Sequence, residues 1–435
     1  MDLVMLLQFS VNNFRSIKDT AIFNMAKTAK DKQHFSEIRK FKVLKTAVIY
    51  GANASGKSNI LKAIGFMKFM VLNRDKVVQS TDKLHHEPFL LNTETETNSS
   101  SFEIIFIFNE VKYRYGFEAD NTQVYAEWLY ADEKGKEAKL FFRDCDEDDY
   151  VNPKKFEEGI HFYNTPASEI DVPPNYLFIW KCDQQKTAPI SRTILNWFNS
   201  LNLLDGVEYN KNYAMKQIKE NEDFNKSILS LIKAADIGID SIAITEEPVP
   251  NEVIDSLPLP DDLKKKMLVE GNVKSISINT YHEKYDDKYE QQGVTEFLLD
   301  EQESRGTQKF FQISAPILNT LKEGKILVID ELDSSLHPDL TKLLIYLFHD
   351  EKINKNNAQL IFNTHDKSLL NQSIFERGQI WFTSKNQFGE TEFYSLVQFK
   401  GVHKRTNIEN GYISGDYGAV PYVDFSNLDF KKLLL

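Results

Sequence analysis

The feature that most constrains this chain is the run Gly51-Ala52-Asn53-Ala54-Ser55-Gly56-Lys57-Ser58, followed by Asn59. An apolar stretch, Ala47-Val48-Ile49-Tyr50, precedes it, and a segment with helical apolar spacing, Ser58 to Ile64, follows. This is G-x-x-x-x-G-K-[ST] in a strand–loop–helix setting. Glycines let successive backbone N–H groups turn inward as an anion nest, and the helix N-terminus adds partial positive charge at the same place. Lys57 is then expected to reach the β- and γ-phosphates, with the Ser58 hydroxyl on Mg²⁺. Gly51, Asn53, Ala54, Ser55, Gly56 and Asn59 complete the cradle. The bland reading is a glycine-rich turn that happens to precede a helix, and the strand before it argues against that. The motif predicts a nucleoside-triphosphate site on an α/β sheet.

A second half of such a site lies far downstream. Ile326-Leu327-Val328-Ile329 reads as a buried parallel strand, and it ends in Asp330-Glu331. Asp330 is placed to hold Mg²⁺ through water opposite Ser58, and Glu331 to orient and deprotonate the attacking water. Asp333 follows, then Ser334-Ser335-Leu336-His337-Pro338, with Pro338 at a favoured first helical position. Another buried strand, Gln359 to Phe362, leads into Asn363-Thr364-His365-Asp366, where His365 is a candidate γ-phosphate sensor. Upstream, Glu303-Ser304-Arg305-Gly306-Thr307-Gln308 opens a helix over Thr307 to Leu321, with a kink expected near Pro316. Ser304 can cap that helix, and Gly306 lets backbone approach an anion closely.

The rest of the chain supplies a scaffold. Met5 to Val11 and Thr20 to Asn24 read as strands around the turn Asn12 to Ser16, where Arg15 is either an ordinary turn residue or a phosphate ligand. Lys57 to Leu72 reads as a helix packed on the sheet, and Asn73 to Lys83 as a loop. Three β runs, at 102–108, 111–117 and 124–130, predict an antiparallel meander with its aromatic stripe in the core rather than stacked on bases. The acid cluster Asp144 to Asp149 lacks the spacing of a calcium loop and reads as a solvated turn. Tyr176 to Trp180 reads as buried, Ile190 to Leu204 and Asn212 to Ala235 as amphipathic helices, and Pro258 to Lys266 as a linker-like break. The expected organisation is an N-terminal ATPase lobe over 1–145, a mainly helical insertion over 146–295 and a C-terminal ATPase lobe over 296–435.

The order of these motifs resembles the ABC-type ATPase heads of the SMC, RecF and OLD kind, and more narrowly the Abi/Rlo-type ATPases of bacterial phage-defence operons. It is carried by Asn13-Phe14-Arg15-Ser16, the phosphate loop, Ser304-Arg305-Gly306-Thr307-Gln308, Asp330 to Pro338 and Thr364-His365-Asp366. Gln379 to Phe382 and Tyr417 to Pro421 look like C-terminal signatures of the same family. The resemblance implies an α/β, ABC-type P-loop ATPase head with an antiparallel β subdomain and an inserted helical region. It further implies a head-to-tail homodimer with ATP and Mg²⁺ between the subunits. Lys57, Ser58, Asp330, Glu331 and His365 would act from one copy, Ser304 and Gly306 of the other would cap the γ-phosphate, and the Asp333 loop would link the two sites. Two departures stand out. No glutamine marks the Gln loop, whose place is taken by His85-His86-Glu87-Pro88-Phe89, and Asp416 stands where the family has arginine.

Function follows as two expectations. The first is an ATP-hydrolysing switch in antiphage abortive infection, set off by a phage protein and controlling an effector, a TOPRIM-type nuclease encoded nearby. The second is a DNA-repair or chromosome-maintenance head acting on DNA directly. With a formal net charge of −12 the chain is not built to coat nucleic acid, so a DNA contact would need a local basic patch. Only some seventy residues follow His365 (435 − 365 = 70), too few for a nuclease domain of its own. Two cysteines without metal-ligand spacing, no signal peptide and no long apolar run predict a cytoplasmic protein away from the membrane.

Overall fold

The computed structural model describes residues 2–73, 79–164, 167–205, 211–235, 238–270, 273–403 and 405–420. Pro421 and residues 74–78 of the expected 73–83 loop lie outside them. The chain groups into two compact units, one of 1–207, 320–334 and 344–435 and one of 208–319 and 335–343.

In the first unit, β1 (Val4–Asn12) pairs antiparallel with β2 (Ala21–Asn24). Strand β3 (Thr46–Gly51) is buried at every position and runs straight into the phosphate loop and α1 (Lys57–Leu72). The meander continues with β4 (Ser100–Phe108), β5 (Val111–Ala119), β6 (Val124–Asp132), β7 (Ala138–Asp144) and β8 (Tyr150–Val151). Its first hairpin turns at Asn109 and Glu110, with φ of 46° and 70°, the left-handed pair whose twist matches the strands it joins. These strands form a seven-stranded antiparallel sheet in the order β8-β7-β6-β5-β4-β1-β2.

Helices α2 (Phe178–Asp183) and α3 (Pro189–Asn199) then lead to β9 (Leu201–Leu204). Here the sequence reading needs correction. The helical spacing from Ile190 to Leu204 stops at Asn199, and Leu201-Asn202-Leu203-Leu204 pairs parallel with the Ile326–Ile329 strand. A short apolar run satisfies either period, and an open edge of a parallel sheet decides it.

The second unit holds α4 (Lys211–Glu220), α5 (Glu222–Ala234), β10 (Ser241–Pro248), α6 (Asn251–Ser256), α7 (Asp261–Glu270), β11 (Lys274–Tyr285), β12 (Gln291–Leu298) and the start of α8 (Arg305–Glu323). The stretch 146–295, expected to be mainly helical, thus contributes strands as well, and β10-β11-β12 form an antiparallel sheet with β11 in the middle. Asp261 to Lys266, read as linker, opens α7 instead.

Back in the first unit, β13 (Ile326–Ile329), β14 (Gln359–Asn363), β15 (Ile380–Lys385) and β16 (Thr391–Ser395) complete a six-stranded sheet; α9 (Pro338–His349) begins at the expected proline, its residues 338–343 grouped with the second unit. The order is β9-β13-β14-β3-β15-β16, parallel except for the β16 edge. This is an α/β fold with the phosphate loop at the end of a central parallel strand. Its core joins the two sheets through α1: Phe9, Phe102, Phe106, Tyr115 and Phe117 share one cluster with Ile60, Ile64 and Met67 and with Ile326, Val328 and Ile361. The aromatic stripe is core, with Phe106 stacked on Trp197 at 4.3 Å between ring centres. The acid cluster is a loop, though Asp149 turns inward to accept the main-chain N–H groups of Asp144 and Ile170.

Candidate active site: a phosphate loop backed by two threonines

Gly51 and Gly56 are glycines because two hydroxyls stand behind the loop. A Cβ on Gly51 would lie 2.3 Å from Thr383 Oγ1, and one on Gly56 would lie 2.2 Å from Thr391 Oγ1. Gly56 also has φ of 105°. Thr391 Oγ1 donates to the Ser55 carbonyl at 2.9 Å, and Ser55 Oγ meets Thr383 Oγ1 at 2.6 Å. The hairpin β15–β16 therefore holds the loop from behind. Asn59 adds a side brace, donating to Ser16 Oγ, which in turn meets Thr391 Oγ1.

The loop is built for an anion. Helix α1 starts at Gly56 with no side-chain cap and no acid in its first turn, so its leading N–H groups face the loop without a competing carboxylate. Lys57 folds over the loop and donates to the Gly51 and Ala52 carbonyls at 2.9 and 3.0 Å. Burial lowers its pKa, and the nearby charges of Glu331, Asp330 and Asp333 work against that.

The acids meet this loop as the spacing predicts. Ser58 Oγ donates to Asp330 Oδ1 at 2.8 Å. Asn363, fully buried at the end of β14, donates its amide N–H to the same carboxylate oxygen. Its amide oxygen accepts the Glu331 main-chain N–H, and Glu331 takes φ of 56°. One side chain thus sets both acids, the second from a left-handed backbone position. Asn53, Gly56, Lys57, Ser58, Glu331 and His365 line one cavity of about 780 Å³. Asp333 accepts the His365 main-chain N–H at 3.1 Å through Oδ2, while its Oδ1 is buried with no partner among the described residues.

Other predicted residues fall elsewhere. Arg15 has φ of 51°, its guanidinium is bonded to the Glu87 carboxylate, and it lines a neighbouring cavity of about 500 Å³. The stretch His85 to Phe89 docks onto the Asn13–Arg15 turn through Arg15 N–H to the Glu87 carbonyl and Phe89 N–H to Asn13 Oδ1. Burial pushes the Glu87 carboxyl up, and hydrogen bonds from Arg15 and His85 bring it below its usual value. Ser304 and Gly306 belong to the second unit. Ser304 Oγ accepts the Thr307 N–H at 3.1 Å, the expected cap, and a Cβ on Gly306 would lie 3.1 Å from the Ser335 carbonyl.

Four residues escaped the sequence reading: Asn363 in its pinning role, Thr383, Thr391 and Lys385, the last on the cavity wall. Lys385 and Thr391 flank the turn of a short hairpin, a position with no local motif.

A family model described as "AAA domain, putative AbiEii toxin, Type IV TA system" matches residues 47–371, both halves of this site included. The chain belongs to that family. As a member of this AAA-domain family it is a P-loop ATPase in kind. Among solved structures it is similar to the SMC head domain from Thermotoga maritima, at 15% identity over 90% of this chain and 98% of that one, TM-score 0.38. An SMC head bound to the C-terminal winged-helix domain of ScpA gives 14%, 90%, 97% and 0.41. RecF of the RecFOR pathway gives 12%, 90%, 98% and 0.35. No curated protein matches the sequence. Among the described residues, no helix of this AAA-domain protein is long and apolar enough to cross a membrane.

Proposed function

We propose that the chain is an ATP-hydrolysing switch: two copies pack head to tail around ATP, and the state of that dimer controls a partner effector in antiphage defence. The supporting observation is the single cavity in which Lys57, Ser58, Glu331 and His365 converge, with Asp330 bonded to Ser58 at its edge. A hydroxyl and a carboxylate are hard oxygen donors, so Ser58 and Asp330 fit Mg²⁺, directly or through water. When bound, that ion would neutralise phosphate charge. Lys57 leaves its carbonyl partners to meet the phosphates. Glu331 orients a water and takes its proton, and His365 offers a hydrogen bond to the γ-phosphate oxygens. Ser304 and Gly306 of the second copy close the site over the γ-phosphate, with Asp333 facing across the interface.

The cytoplasmic defence setting, the phage trigger and the TOPRIM-type nuclease effector rest on the family resemblance. The rival reading, a head that acts on DNA directly, uses the same nucleotide site and differs in output.

The test is Glu331→Gln. With the base removed, ATP should stay bound and the particle mass should double by light scattering in ATP and Mg²⁺. Lys57→Ala, lacking the fixed cation, should not bind ATP on its own phosphate loop and should not dimerise with itself, though it can still cap ATP held by a partner with an intact loop. A Glu331→Gln protein that stays monomeric in saturating ATP would overturn the sandwich, and undiminished turnover by Lys57→Ala would overturn the site.

A further inference from the structure

In the second unit the residue before Ser304 is tied to a β-sheet by a contact that the motif does not require. Thr280 and His282 are two apart on β11, so both side chains leave the same face of the sheet. Both reach one carboxylate oxygen: Thr280 Oγ1 and His282 Nε2 each lie 2.6 Å from Glu303 Oε1. A carboxylate accepts, so the imidazole proton sits on Nε2. Thr280 is fully buried, and the side chains of Glu303 and His282 are 8% and 20% exposed. The imidazole also packs on Phe297 of β12 at 4.7 Å between ring centres, which fixes its plane.

We infer that His282 is a positioning residue: through Glu303 it holds the Ser304–Gly306 turn where a second copy of this chain can use it against the γ-phosphate. The inference rests on the head-to-tail reading above. Two hydrogen bonds and one close approach support it on the other side of Glu303. The Glu303 carbonyl accepts the Gln308 amide at 3.0 Å, Ser304 Oγ meets the Thr307 N–H, and the Gly306 backbone lies against the Ser335 carbonyl. The turn is thereby held to α8 and to Ser335 by its own residues, while β11 clamps it through Glu303 alone among the bonds described. Losing that hold leaves the Ser304 hydroxyl on its helix but lets the turn shift against the sheet. A displacement of about 1 Å is enough to cost roughly 10- to 100-fold in turnover.

The same strand runs on to the exposed tip of the hairpin, where Tyr285 and Tyr289 are 51% and 88% accessible. His282 therefore stands between a surface at one end of β11 and the turn that completes the nucleotide site.

The experiment compares His282→Ala, His282→Gln and Ser304→Arg in the full chain. For His282→Ala, the affinity for ATP should be unchanged, because the phosphate loop is untouched, and kcat should fall about 10- to 100-fold. His282→Gln keeps an amide donor within reach of Glu303 and should recover most of the loss. Mixing His282→Ala with Lys57→Ala protein should restore turnover at one of the two composite sites, the one built from the phosphate loop of the first and the turn of the second. Wild-type turnover by His282→Ala, with Ser304→Arg impaired, overturns the inference and leaves the head-to-tail site standing. Wild-type turnover by both overturns the head-to-tail site. A His282→Ala defect that neither glutamine nor mixing relieves is a general structural defect, and it overturns the inference as well.

Discussion

At the scale of single residues, several buried polar groups fix hydrogen-bond polarity as well as fill space. At the base of the parallel sheet the Gln379 amide donates to Thr46 Oγ1 at 2.6 Å, and Thr46 Oγ1 lies 2.7 Å from His349 Nε2. The Gln379 amide nitrogen, which can only donate, also lies 3.4 Å from His349 Nε2, so that ring nitrogen accepts, takes the Thr46 hydroxyl proton, and His349 is held neutral. His34 stacks on it at 3.8 Å between ring centres. Burial, then the charges of His34 and Lys45, push the His349 pKa well below the usual histidine value. A folded-state pKa below the unfolded one means the unfolded chain takes the proton first. The stability this site contributes is therefore complete above the ordinary histidine range and lost as pH falls below about 6.5. Thermal midpoints measured from pH 7.5 down to 5 should fall, and His349→Asn should flatten the slope over that window. An unchanged slope would show that the site is not the origin.

At the scale of elements, what could be read from the sequence was whatever carries its own period or punctuation. Helix α1 spans Lys57–Leu72 as its spacing predicts, and the Asn109-Glu110 break sets the first hairpin. Leu201–Leu204 could not be read, because three leucines after a helix fit its period until a sheet edge claims them. Thr391 was hidden for another reason: it lies 336 residues from the Ser55 carbonyl it braces, and no local pattern reports so distant a bond. Gly116 on β5 is similar, since its need comes from neighbouring strands. A Cβ there would lie 2.5 Å from the Trp128 ring and 2.7 Å from the Phe102 carbonyl. Backbone cannot give way as a side chain can, so Gly116→Val should destabilise the first unit by about 1–3 kcal/mol. A lowered denaturant midpoint, with ATP affinity intact for the folded fraction, is the expected readout.

At the scale of the whole molecule, sequence order is a poor guide to which residues form a unit. Residues 320–334 and 344–435 return to the unit begun by 1–207, while 335–343 join 208–319. The boundaries expected at 145 and 295 cut the chain into consecutive stretches, whereas each compact unit gathers stretches that are separate in sequence. Net charge is legible at this scale and bears on the two functional readings. A surface carrying −12 overall has few phosphate contacts to offer, and non-specific affinity scales with their number. In about 150 mM salt, with ATP and Mg²⁺, gel-shift titration should detect no duplex binding below micromolar protein. Tight binding with a steep salt dependence would favour the DNA-acting head.

One amide described above has a consequence for how such a protein ages. Asn363 donates to Asp330 with its nitrogen and accepts from Glu331 with its oxygen. Aspartate has nearly the same shape and weighs about one dalton more, but it has no N–H to offer. Spontaneous loss of that amide, a common form of chemical wear in stored protein, would set a third carboxylate against the pair. The fold would keep its outline while the acids lost their setting, and a buried carboxylate beside two others would also lower the melting point. Two samples alike in size and shape could then differ in turnover, and intact mass measured to one dalton would tell them apart.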